Sequence, residues 1–201
     1  MKYVALLRGI NVGGRNLIPM AALKQCFERT GVENVATYIQ SGNVLFESPE
    51  RSAAKLGRLI EETVASTFGI SARVLVLSHA QLKTVLADVP AIWKREAPLR
   101  RNIAFLFPPV TASQALKEVS VNPDVDSAAA GPGVVYMSTT LSALAQSRFP
   151  KLVGTRIYRD MTVRSHGTCQ KILASLDRAV PSAATLRKSG TPGTNLRRPR
   201  R

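Results

Sequence analysis

Two stretches of this chain, YVALL at Tyr3–Leu7 and IAFLF at Ile103–Phe107, are apolar at every position. A strand with one wet face alternates apolar and polar residues, so an unbroken apolar run belongs to a strand covered on both faces. The chain must therefore bury two sheets from both sides. The cover can come from the other half of the same chain or from a second copy in a homodimer. At 201 residues, 45% of them hydrophobic and 20% charged, the chain has the apolar surface for a globular fold.

Each run opens a similar succession of elements. After the strand Lys2–Leu7, a helix is predicted over Pro19–Thr30, with Pro19 in its first turn, Leu23 and Phe27 on one face and Gly31 as its stop. Strands at Val35–Gln40 and Val44–Glu47 are joined by Ser41-Gly42-Asn43, a bend that tolerates positive φ. Leu56, Leu59, Ile60, Val64 and Phe68 recur at helical spacing within Pro49–Phe68, Gly69 ends that helix, and Ala72–Leu77 is a strand. The order is βαββαβ. A short helix at His79–Ala87 and an irregular stretch, Pro90–Asn102, carrying Trp93, Arg95, Arg100 and Arg101, lead into the second round. There Ile103–Phe107 is a strand, Thr111–Val119 a helix, Val125–Ala129 and Val134–Ser138 a strand pair turned by Gly131-Pro132-Gly133, Leu141–Phe149 a helix and Ile157–Val163 a strand. A last helix is expected at Thr168–Ala179, where Ile172, Leu173 and Leu176 share a face.

The expected class is α+β: two tandem ferredoxin-like βαββαβ units with mainly antiparallel sheets, a duplication of pattern rather than of residues, plus a C-terminal helix. The units would span 1–78 and 103–180, joined by a helix and loop at 79–102 and followed by a disordered basic tail at 181–201. That tail, rich in Pro, Gly, Ser and Thr, holds Arg187, Lys188, Arg197, Arg198, Arg200 and Arg201 and no acid, which leaves +9 of the net +15 on residues 1–180. A field of this sign attracts anionic metabolites and nucleic acid without sequence preference. No run of about 18 uncharged apolar residues suggests a membrane span, so a cytoplasmic protein with no membrane partner is the expectation. Cys26 and Cys169 are expected reduced.

Three phrases carry a family resemblance. YVALLRGINVGGRN at Tyr3–Asn16, followed by Met20, and YIQSGNVLF at Tyr38–Phe46 resemble a bacterial family, domain of unknown function 1697, over residues 1–180. Near its C-terminus that family has Thr-x-Arg-Asn-Trp-x-Thr; TVRSHGT at Thr162–Thr168 matches at Thr162, Arg164 and Thr168, with Ser165 and His166 in place of Asn and Trp. The resemblance implies paired ferredoxin-like units and brings no activity.

The loop after the first strand holds the densest candidate chemistry. Gly9-x-x-x-x-Gly14-Arg15-Asn16 approaches a phosphate-binding P-loop, but Arg15 and Asn16 stand where Lys and Ser or Thr belong, and Asn16 offers no hydroxyl for magnesium. The glycines are also wrongly spaced for a dinucleotide fingerprint. What remains is an anion site in which backbone amides at Gly9, Gly13 and Gly14 converge, with Arg8, Arg15 and Asn16 as further donors. The plain alternative is a tight loop whose glycines satisfy positive φ and whose Asn11 caps a turn. Gln40, Ser41, Gly42 and Asn43 form a bend that could approach this loop, and Arg164 could reach an anion there or a helix C-terminus. His79 and His166 are the only near-neutral bases, no nucleophile motif appears, and His166 with Cys169 lacks a second pair to complete a metal site. Adjacent Glu61 and Glu62 resemble a solvated face. VLFES lacks the repeated aromatics of an RNA-recognition strand.

The reading is an anion-binding protein, for a nucleotide or nucleic-acid backbone, using loop 8–16 with the 40–43 bend and Arg164, with no cofactor, no metal and no assigned catalytic residue. The alternatives are an enzyme acting on a small phosphorylated or carboxylated substrate at the same cleft, and an assembly protein working through its covered sheet.

Overall fold

The structure, a computed structural model, describes residues 1–94 and 98–178. Arg95, Ala179 and the basic tail at 181–201, each singled out above, lie outside the described residues.

The first half runs β1 (Lys2–Arg8), α1 (Met20–Glu28), β2 (Glu33–Tyr38), β3 (Asn43–Glu47), α2 (Ala53–Phe68) and β4 (Arg73–Ser78). Its four strands form an antiparallel sheet in the order β2-β3-β1-β4. After α3 (His79–Ala87) and a 3₁₀ turn at Ala91–Lys94, the second half runs β5 (Leu99–Leu106), α4 (Ala112–Glu118), β6 (Asp126–Gly131), β7 (Val134–Thr140) and β8 (Met161–Ser165), with sheet order β6-β7-β5-β8. The two sheets thus repeat one antiparallel topology, as the element pattern requires. A C-terminal helix, α5 (His166–Arg178), closes the described fold.

Several boundaries depart from expectation for local reasons. α2 starts at Ala53 rather than Pro49, because the Ser52 hydroxyl accepts from the Lys55 N–H and Glu50 Oε1 accepts from the Ser52 N–H at 2.7 Å. β5 begins at Leu99 instead of Ile103, so Arg100, Arg101 and Asn102 are strand residues paired with Thr139, Ser138 and Met137 of β7. The helix expected at Leu141–Phe149 is absent. In its place 3₁₀ turns cover Leu141–Gln146, Phe149–Gly154 and Ile157–Asp160, and β8 begins only at Met161.

The unbroken apolar runs are explained by three stacked cores. Tyr3, Ala5 and Leu7 of β1 face α1 and α2, packing with Phe27, Ile60 and Val64. Val4 and Leu6 face the other way, into a core shared with Leu82 and Val85 of α3, Ile172 and Leu176 of α5, and Ile103, Phe105, Val134 and Tyr136 of the second sheet. Ala104, Leu106, Val135 and Met137 then turn to a third core with Ala115 of α4 and Leu152 and Ile157 of the 3₁₀ turns. Both sheets are covered on both faces within the one chain, and the middle core belongs to both halves.

Candidate functional site

β1 ends at Arg8, and from there residues 9–18 leave the sheet as a small closed finger. The Arg15 N–H donates to Val12 O at 3.0 Å and the Asn11 N–H to Asn16 O at 3.0 Å, around Gly13 and Gly14 at φ +57° and +75°. Two central residues with positive φ make the mirror-image turn that suits a tight hairpin, which is why glycines stand there. Asn11 locks the base: its Oδ1 accepts from the Ile18 N–H at 2.7 Å and its Nδ2 donates to Ile18 O and Gln40 O, each at 3.1 Å. Asn16 Nδ2 donates to Gly9 O at 2.7 Å. The amides of Asn11, Arg15 and Ile18 are therefore spent inside the loop, and Gly13 and Gly14 form its turn.

The bend at 39–42 lies against this finger. Besides the Asn11 to Gln40 bond, the Leu7 N–H donates to Gly42 O at 2.8 Å. Gly42, at φ +71°, has no room for a side chain, since a Cβ would stand 3.0 Å from the Leu7 Cβ. Ile39 holds φ +49°, a costly conformation for a β-branched residue. Gln40 and Ser41 are exposed, as are Gly13, Gly14, Arg15 and Asn16.

Arg8, Asn43 and Arg164, three of the expected ligand residues, are turned inward. Arg164 is 8% exposed, and all five of its N–H donors are used. Nε donates to Asn43 Oδ1 at 2.6 Å, Nη1 to Thr162 Oγ1 and Val163 O, and Nη2 to Leu7 O and Ser41 O, these four at 2.9 Å. Asn43, fully buried, in turn donates to Tyr38 O and Ser41 Oγ. Burial pulls the Arg164 guanidinium down to about 10, so it stays a cation at neutral pH, surrounded by neutral oxygens. Arg8 donates to Met161 O at 2.9 Å and stacks over the Tyr158 ring at 4.6 Å. The physical reason is common to both: each sits where one half meets the other, and carbonyls of the opposite half accept from it.

Arg73 completes this seam, and sequence reasoning passed it over. Its Nη1 meets Asp160 Oδ1 at 2.6 Å and Arg159 O at 2.8 Å, with the guanidinium over Phe107 at 4.1 Å. No motif marks it in the sequence; the pairing of β4 with β1 puts Arg73 opposite Arg8.

The remaining titratable candidates are structural. His166 packs edge-on against Trp93 at 5.2 Å, its imidazole pulled below the usual histidine value by burial and by Arg101. Burial pushes the Cys169 thiol up to about 12, which leaves it protonated at neutral pH and unfit as a nucleophile. Cys26 and Cys169 are both free thiols. His79 Nε2 meets Asp177 Oδ1 at 2.6 Å, tying α3 to α5. Among the described residues no cluster of three or more His, Cys, Asp or Glu could hold a metal, and no helix is long and apolar enough to cross a membrane.

The family described as protein of unknown function (DUF1697) matches residues 1–136. The chain belongs to this family. A solved structure titled as that of conserved bacterial protein SP0830 from Streptococcus pneumoniae is 27% identical, covers 88% of this chain and 98% of its own, and superimposes with a TM-score of 0.76. Its title names no activity. No curated protein matches. The DUF1697 match ends before Thr162, so the Thr162, Arg164 and Thr168 phrase lies beyond the matched residues.

Proposed function

We propose that this DUF1697 protein is a binding protein whose recognition surface is the rim formed by finger 9–18 and bend 39–42, and whose ligand is a nucleotide or nucleic-acid backbone. The observation that carries this reading is the bond from Asn11 to Gln40, which holds two protruding loops side by side with Arg15, Gln40 and Ser41 open to solvent. Arg15 has no ion pair or hydrogen bond from its side chain among the described residues, whereas Arg8 and Arg164 are occupied. Val12, Leu17 and Ile39, 68%, 69% and 50% exposed, supply apolar contact beside the cation. A ligand with a charged edge and an apolar face fits that pairing, and the +9 carried outside the tail favours a polyanion.

Fluorescence anisotropy with a labelled thymidine oligonucleotide tests it, comparing the full chain, a chain ending at residue 180, and Arg15→Ala. Binding should survive tail removal and weaken about three- to tenfold on Arg15→Ala, with a salt slope smaller by roughly one. Loss of all binding with the tail, or indifference to Arg15, would overturn the reading.

A further inference from the structure

A cleft of about 880 Å³ opens between the halves, bounded by α2, α3 and the outer edge of β4 on one side and by the end of β5 with the Pro132–Val134 turn on the other. A second cavity of about 410 Å³ shares Glu61, Phe107 and Pro108 with it and continues past Ala72 and Arg73. The two together follow the chain from Ala72 into β4 as far as Leu77, about 17 Å at ~3.3 Å per strand residue. The volume is that of a ligand site, and the shape is long rather than round.

The floor of this channel is a sheet edge. β4 pairs with β1 on one side only. Its Val74 N–H points outward, because it donates to Glu61 Oε1 of α2 at 2.7 Å, and the Ser78 N–H donates to Gln81 Oε1 at 2.8 Å. Alternation along an antiparallel strand then turns Val76, midway between them, outward as well. Its N–H and C=O form the one stretch of this edge left between two side-chain stoppers. α2 lies close to this strand at Gly57, where a Cβ would stand a tight 3.1 Å from Val74 O. Around the edge the walls are mainly apolar, with Phe105 and Phe107 opposite. Arg58 is exposed at the rim and has no ion pair or hydrogen bond among the described residues.

We infer that this channel binds an extended peptide, which adds a strand to β4 at Val76, places alternate apolar side chains in the cleft and sets a carboxylate against Arg58. An edge strand beside an elongated apolar cleft is the geometry of strand addition, in which main-chain bonds fix the register and pockets choose alternate side chains. The unpaired cation selects an acidic group over a basic one. None of residues 9–18 or 39–42 lines the channel, so the inference stands or falls apart from the rim.

A displayed random octapeptide library, panned on the full chain and counter-selected on Ala80→Trp, tests it. Ala80 is exposed on the first turn of α3 and lines the cleft, so tryptophan there fills the channel without entering the core. Thr84→Arg, one turn along, serves as a second blocking variant, and both are checked for an unchanged melting temperature. Enriched sequences should alternate apolar residues and carry an acid. A synthetic peptide from the pool should bind about tenfold more weakly when one strand amide is N-methylated, as loss of a single backbone bond implies. It should lose a similar factor to Ala80→Trp, weaken several-fold with Arg58→Ala, and slow hydrogen exchange at the Val76 amide. No enrichment over the counter-selection, peptides that tolerate N-methylation at every position, or an unprotected Val76 amide would overturn the inference.

Discussion

Arg164 is a cation buried without a carboxylate, and its stability rests on complete hydrogen bonding. A guanidinium presents five donors in a fixed plane, and here carbonyls or side-chain oxygens from β1, the 39–42 bend, β3 and β8 meet every one. Lysine offers three donors from one point and cannot span acceptors on opposite sides of the seam. Arg164→Lys should therefore cost about 3 kcal/mol, from carbonyls left buried without a donor. Asn43→Ala removes the shortest of these bonds, at 2.6 Å, and should cost about 2 kcal/mol. Because the two residues share one network, the double variant should lose clearly less than the sum. Urea denaturation of the four proteins measures this, and strict additivity would mean the pair does not act as a unit. Neither role is legible in the sequence: Arg164 reads as a cation after a strand that could reach an anion or a helix C-terminus, and its partners across the seam lie 121 to 157 residues away in sequence.

At the scale of elements, the sequence is most readable where periodicity meets a surface to pack on. His79–Ala87 matches its expected span, and α2 keeps its predicted C-terminus at Gly69, a left-handed cap. Leu141–Phe149 misleads because Leu141 and Leu144 are three apart, a spacing that serves a 3₁₀ turn as well as a helix. Both stay largely exposed at 48% and 36%, so no apolar face exists to favour the α form. What organises this segment is Asp126, whose carboxylate accepts from the Asn122 N–H, the Arg148 N–H and the Thr139 hydroxyl. Burial works to raise its pKa, but these hydrogen bonds outweigh it and hold the group below the usual aspartate value. A depressed carboxylate contributes stability that is complete above its unfolded value, about 3.8, and is lost as pH falls through the lower folded value. Asp126→Asn, which puts an amide where one acceptor oxygen was, should destabilise by about 2 kcal/mol at pH 7. The gap between variant and parent should narrow as denaturation is measured below about pH 4. A gap that stays constant into acid would show that the carboxylate charge is irrelevant here.

For the molecule as a whole, the middle core decides how it unfolds. Val4, Leu6 and Leu45 of the first sheet pack in one cluster with Ile103, Phe105 and Tyr136 of the second, and α5 from the C-terminal end fills the same layer with Ile172 and Leu176. The Tyr136 hydroxyl also donates to Val85 O of α3 at 2.7 Å. Separating the halves would expose all of this surface at once, together with the carbonyls that Arg8, Arg73 and Arg164 now satisfy. The cost of separation should therefore exceed what either half keeps by staying folded, and the protein should unfold as one unit despite its two sheets. Trp93, the single tryptophan, lies in that shared layer and reports it directly. Its fluorescence and the far-UV circular dichroism of the whole chain should give coincident urea midpoints. Leu6→Ala, in the first sheet, should cost about 2–5 kcal/mol and move both signals together. Hydrogen exchange should then show the amides of β7, in the second sheet, losing as much protection as those of β3. Loss confined to the first sheet would mean that each half carries its own stability, and that the seam arginines join two independent units rather than complete one.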